Sequence, residues 1–218
     1  MVHDLTVSSR EDGALDTGVV AIRQKRSQIT YDKLIEAAFA LMLNRAWDAV
    51  PVAEIAERAG YSVGAFYARF KNKDEFQNAL MQRYTQDRLR RLEEQFSSTP
   101  DDQLLTAYFH DVVDRLWRNR FFWRAVLFRS IQDTEFWKPF RHIGQIIGDK
   151  LIERACRRIG RPLTHSEEMD IRFAIQVTNG AINNVMINRP GPVDIDDPEF
   201  VERLEKAFRE ISHWDELR

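Results

Sequence analysis

Between residues 62 and 73 the sequence SVGAFYARFKNK sets a hydroxyl, a glycine, a phenol and three cations, Arg69, Lys71 and Lys73, close together. No nucleophile, general base or metal-ligand set is spelled out by these types, so the chemistry on offer is non-covalent. Cations at such a spacing suit phosphate neutralisation, which gives salt-sensitive affinity without sequence information. Val63 and Ala65 cannot hydrogen-bond a base edge, but they can pack on thymine methyls. Gly64 is a poor helix former, by about 1 kcal/mol against alanine, and its presence there suits close approach to another surface.

The elements that must carry these residues read as helices. Apolar positions Leu34, Ile35, Ala38, Phe39, Leu41 and Met42 follow helical spacing after Thr30, a candidate cap. AWDAVP is a connector, with Pro51 suited to the first position of a helix, VAEIAERA, that stops at Gly60. Ser62 caps a short third helix reaching Phe70, KNKDE turns, and a long amphipathic helix runs from about Asp74 to Phe96. In the short helix Phe66 and Phe70 are one turn apart and can pack inward with Ile55 and Ala56. Val63, Gly64, Ala65, Tyr67 and Ala68 are then left outward. Helix, glycine turn, helix is the geometry that lays a second helix in a DNA groove; a helical hairpin inside a larger bundle has the same spacing.

Charge favours the first of these. Residues 23–91 hold thirteen Lys and Arg against eight Asp and Glu, an excess suited to a polyanion, although the whole chain of 218 residues carries only −2. Arg23, Lys25 and Arg26 form a basic arm that either is solvated or tracks a backbone. Residues 1–22 are acidic, aperiodic and rich in small side chains, and read as a disordered tail. No apolar run is long enough for a membrane span, and the first twenty residues lack the apolar core of a signal peptide. With Cys156 as the single cysteine, the expectation is a cytoplasmic protein without disulfides. A phosphate-cradling glycine loop, HExxH, a nucleophile elbow and clustered metal spacing are all missing, so the sequence reads as a binding protein with no cofactor rather than an enzyme.

TYDKLIEAAFALMLNRAWDAVPVAEIAERAGYSVGAFYARFKNKDEF, residues 30–76, resembles the amino-terminal domain of the tetracycline-repressor-like (TetR) family. The resemblance implies an all-α fold: a three-helix helix-turn-helix DNA-binding domain over 23–76, then a helical ligand-binding and dimerisation domain over 77–218. It implies that Tyr67 and Lys73 contact phosphates, that Ser62 caps the recognition helix near the backbone, and that Val63, Gly64 and Ala65 face bases, with Arg69 and Lys71 at the edge. One departure is Val50-Pro51 at the start of the second helix, where the family often has a hydroxyl. The implied partners are a double-stranded DNA operator, a small-molecule effector and a second copy of the chain. An all-helical interaction or carrier protein without DNA binding is the alternative.

Ten aromatic residues fall between Tyr108 and Phe140. They can line a cavity or fill a solid core. The expected effector contacts are Phe109, Trp117, Phe121, Trp123 and Phe128, with His110, His142 and Asn179 as polar groups. GQIIG at 144–148 has the small-residue spacing of close helix packing. Two further helices, over 166–188 and 197–214, carry apolar stripes: Ile171, Ile175, Thr178, Ile182 and Val185 on the first, Phe200, Val201, Leu204, Phe208 and Ile211 on the second. In the resembled family such a pair builds the dimer interface.

Overall fold

The computed structural model describes residues 12–217, with side chains from Gln24 onward. Nine α-helices account for the described fold: α1 (Asp12–Met42), α2 (Val52–Ala59), α3 (Val63–Tyr67), α4 (Lys73–Ser98), α5 (Leu104–Arg118), α6 (Arg120–Gln132), α7 (Lys138–Ile159), α8 (His165–Asn188) and α9 (Pro198–Ile211). No strand occurs among the described residues, and no helix there is long and apolar enough to cross a membrane.

Local chemistry explains the amino-terminal boundaries. Gly60 adopts φ +78°, and the Gly60 and Tyr61 amides donate to the Glu57 and Ala56 carbonyls, closing α2 in a Schellman arrangement. Ser62 Oγ accepts from the Ala65 amide at 3.2 Å to start α3, and Asn72 Oδ1 accepts from the Glu75 amide at 2.8 Å to start α4. Pro51 stands one position earlier than expected, as the residue before α2, with extended backbone. Thr30 lies inside α1 rather than at its start, its hydroxyl donating to the Arg26 carbonyl. The backbone of 12–22 continues α1 instead of belonging to the tail read from sequence; the rest of that tail, 1–11, lies outside the described residues.

The head is held by an aromatic cluster. Phe76 of α4 packs at 4.9 Å from Phe66 and 4.7 Å from Phe70, both edge-on, and Trp47 stands 6.2 Å away. Edge-to-face pairs add about 0.5–1.5 kcal/mol each beyond burial. Leu34, Ile35 and Ile55, all buried, complete the core of the head.

Beyond the head, α4 runs straight into the second bundle, so the boundary drawn at 76/77 falls within one helix. α8 packs on α9 and α7, and α5 on α9. A Cβ placed on Gly148 would meet Arg172 Nη1 at 2.9 Å and Ile175 Cδ1 at 3.6 Å, a close approach of α7 to α8, whereas one on Gly144 would meet nothing within 4 Å; of the GQIIG pair only Gly148 is crowded. α8 begins one residue earlier than the sequence suggests and is capped by Thr164. Its capping box is reciprocal, Thr164 Oγ1 accepting from the Glu167 amide and Glu167 Oε2 from the Thr164 amide.

Candidate nucleic-acid interface and ligand cavity

Of the residues expected outward on α3, Val63, Gly64, Tyr67 and Ala68 are exposed, and Ala65 only partly so. Val63 is 41% and Tyr67 53% exposed, unusual values for large apolar and aromatic side chains, while Phe66 on the opposite face is fully buried. Gly64 and Ser62 are exposed and Ala65 half-buried. A Cβ on Gly64 would meet nothing closer than Ser62 Oγ at 3.7 Å. The glycine therefore answers no crowding inside the chain, and the space in front of α3 is open to an external surface.

The three cations behave differently from one another. Lys71 is exposed. Arg69 folds back, Nη1 donating to the Ala65 carbonyl at 2.9 Å. Lys73 turns inward: Nζ donates to the Trp47 carbonyl at 2.8 Å and sits 4.3 Å over the Trp47 ring. Partial burial lowers its pKa, opposed by Asp48 and Asp74. A neighbouring groove is lined by Gln24, Ser27 and Gln28 of α1 together with Ala68 and Arg69; Lys25 and Arg26 are exposed on the same stretch of α1, off the groove face. The bidentate Arg45–Glu54 pair, whose Nη1–Oε2 arm measures 3.0 Å, anchors the connector before α2.

In the second bundle the aromatic segment divides into core and cavity. A cavity of about 530 Å³ lies between α4, α5, α6, α7 and α8. Of the eight expected contacts only Trp123 and Asn179 line it. Phe109 is 1% exposed and stacks on Tyr108 and Phe208 at 5.1 and 5.7 Å, inside the α5–α9 core. Trp117 and Phe121 flank the Arg120 guanidinium, each 4.8 Å from it. His110 and His142 are exposed, and Phe128 is 51% exposed.

The cavity wall contains residues that periodicity did not single out: Tyr84 and Arg88 of α4, Arg115 of α5, Trp137, Phe140 of α7, and Asn183 of α8. Phe140 stacks edge-on against Trp123 at 4.5 Å, and the Trp123 indole donates to Asn183 Oδ1 at 3.2 Å. Arg88, 4% exposed, was the available signal: a charged residue at a position that the amphipathic pattern of α4 turns inward. Burial raises the pKa of both Tyr84 and Tyr108, with nearby Arg88 and Arg115 opposing the rise.

Cavity and head are physically joined. Tyr84 stacks on Phe122 at 5.2 Å, and Phe122 meets Phe39 of α1 edge-on at 5.1 Å. At the end of α6, Arg129 Nη1 donates to the Asp74 carbonyl at 2.9 Å and to Gln77 Oε1 at 3.0 Å, both at the start of α4. α6 is thus a second connection beside α4 itself.

The apolar stripes of α8 and α9 are internal. Ile171, Ile175, Thr178, Ile182 and Val185 are all buried within the chain, as are Phe200, Val201, Leu204 and Phe208. This corrects the expectation that they form a dimer face: α8 and α9 satisfy each other and α5. The outer face of α8 instead shows Met169, Phe173 and Val177, 49%, 53% and 36% exposed and one turn apart.

Residues 34–80 match the family described as bacterial regulatory proteins, tetR family. An uncharacterized HTH-type transcriptional regulator of Bacillus subtilis (strain 168), YwcC, is 40% identical over 60 residues, which are 28% of this chain and 27% of that protein. The match thus spans about a quarter of that relative's length. In fold the whole chain is similar to a tetR-family transcriptional regulator from Streptomyces coelicolor, with TM-score 0.64 at 18% identity, covering 85% of this chain and 79% of the other. It is also similar to the fatty acid degradation regulator FadR from Bacillus halodurans, with TM-score 0.60 at 19% identity, covering 82% and 93%. Residues 34–80 thus match the tetR family of bacterial regulatory proteins in sequence, and the chain as a whole is similar in fold to such regulators.

Proposed function

We propose that this protein is a dimeric transcriptional repressor that binds a palindromic operator and releases it when a small molecule occupies the cavity. The observation that carries the reading is the exposed face of α3, where Val63, Gly64 and Tyr67 face open space on a helix locked by the Phe66–Phe70–Phe76 cluster. Ser62, Val63, Gly64, Ala65 and Tyr67 meet the groove, with Lys71 and the basic arm of Lys25 and Arg26 at the phosphates. Arg69 and Lys73 support the helix ends from within. Since Val63 and Ala65 carry no hydrogen-bonding groups, specificity leans on apolar contacts, backbone groups and DNA shape.

Dimerisation uses the outer face of α8, through Met169, Phe173 and Val177. Gln176 and Gly180, exposed on the same face, also line the cavity, so the second copy sits beside its mouth. A ligand that fits one separation of the two heads better than another shifts the population toward it, and two-groove engagement fails when the half-site spacing is wrong.

Genomic DNA fragments selected on the purified protein supply the operator, and affinity is then measured across salt. A steep decline of log K with log salt is expected, together with a symmetric site. A shallow slope with no enriched sequence would favour the carrier reading, for which the cavity alone would speak.

A further inference from the structure

The cavity has a charge that nothing among the described residues balances. Arg88 and Arg115 both direct a guanidinium at one carboxylate oxygen, Asp111 Oδ2, at 2.8 and 3.2 Å. Arg88 is 4% exposed, and its Nη2 is buried without a hydrogen-bond partner among the described residues. Arg115, also well buried, donates from Nε to the Tyr84 hydroxyl at 3.4 Å. Asp111 does not line the cavity, and among its described lining residues there is no Asp or Glu, whereas Arg88, Arg115, Arg141 and Arg172 all line it. Arg172 is matched by Asp149 at 2.6 Å.

Two guanidiniums with one shared carboxylate leave one uncompensated positive charge in desolvated surroundings, and a buried N–H with no acceptor is a standing cost. Burial and Arg115 push the Arg88 pKa down, though the nearby Tyr108, Asp111 and Tyr84 oppose this. The rest of the wall mixes apolar side chains, Trp123, Phe140 and Ile175 among them, with the neutral amides of Gln145, Gln176, Asn179 and Asn183. We infer that the effector is an amphipathic carboxylate, its apolar body among these side chains and its head on the orphan Nη2 of Arg88, beside Tyr84 and Tyr108. A monoanion matches the charge left over at the Arg88–Arg115 pair. The inference rests on the cavity being the effector site proposed above.

The test uses the full-length protein and matched pairs: 2-naphthoate against 2-naphthol, and decanoate against decanol, followed by calorimetry and by quenching of tryptophan emission. Each acid is expected to bind about tenfold or more tightly than its neutral partner, as a charge-assisted hydrogen bond in a dry site requires. In Arg88→Met that preference is expected to disappear while the neutral compounds bind as before. Should Arg88→Met fail to fold, the comparison within each pair on the wild type still decides. Equal affinity within both pairs, retention of the preference in folded Arg88→Met, or no binding by any of the four at millimolar concentration would overturn the inference. None of these results touches DNA binding, whose own failure is read from the salt slope.

Discussion

Single residues of the head differ in what they can give to DNA. Tyr67 has an exposed ring edge-on to Phe66 at 5.3 Å, so its position is set while its hydroxyl is free to meet a phosphate. Tyr67→Phe is expected to weaken specific and non-specific DNA alike, by about 0.5–1.5 kcal/mol for one hydrogen bond, with unchanged thermal stability. Anisotropy on operator and on scrambled DNA reads both; a loss confined to the operator would place Tyr67 on a base instead. Lys73 is the contrasting case, since its ammonium is occupied by the Trp47 carbonyl and ring. Lys73→Met keeps the stem over the indole but loses the bond, and should cost about 1 kcal/mol in urea unfolding. Its effect on the salt slope of DNA binding should be smaller than that of Lys71→Met. If the slopes fall equally, Lys73 leaves Trp47 to reach the backbone.

At the scale of elements, helix starts and the α6–α4 junction matter most. Glu167 is held by a bidentate Arg161, at 2.7 and 2.9 Å, and by the Thr164 amide at 2.7 Å. Together they lower its pKa from 4.5 to about 2. A carboxyl depressed in the folded state stabilises fully above its unfolded pKa and loses that contribution as pH falls toward the folded value. The start of α8 should therefore loosen between about pH 4.5 and 2. Arg161→Ala should move the Glu167 NMR titration midpoint upward, toward the ordinary value; an unmoved midpoint would assign the shift to the capping box alone. At the other junction, Arg129 ties α6 to the Asp74 carbonyl and Gln77. Arg129→Met should leave effector and operator affinities, each measured alone, near wild type, and reduce the coupling between them by about 0.5–2 kcal/mol. Full coupling in that variant would leave α4 as the only transmitter.

For the whole molecule, the two faces of α8 predict opposite phenotypes. Phe173→Glu, on the exposed stripe, should give a folded monomer in sedimentation with strongly reduced operator binding, because each head then binds one half-site alone. Ile182→Glu, at a position only 2% exposed, buries an unpaired carboxylate and should lower the melting temperature or abolish folding. A dimeric Phe173→Glu protein would move the interface elsewhere. The mouth of the cavity borders that face through Gln176 and Gly180, so effector affinity should also be measured on the monomer.

The head was legible in the sequence because its determinants are local. A glycine that can take φ +78° ends α2, a serine two residues on starts α3, and aromatics one turn apart fix which side of a five-residue helix is buried. Each signal acts within about one turn, the range over which capping and helical periodicity operate. The second bundle was not legible in the same way. That ten aromatics cluster between 108 and 140 was plain, but periodicity assigns a side chain to a helix face without saying which helix meets it. Phe109 went to α9, Trp117 and Phe121 to Arg120, and Tyr108, Trp123, Trp137 and Phe140 to the cavity. Its polar wall joins Arg88, Arg115 and Asn183, from three helices far apart in the chain. The stripes of α8 and α9 show the same limit: the sequence established that those faces are buried, and only tertiary packing decided that they are buried against each other and α5, leaving Met169, Phe173 and Val177 outside. An apolar face requires a partner, and the chemistry of burial is the same whether that partner is a neighbouring helix or a second molecule.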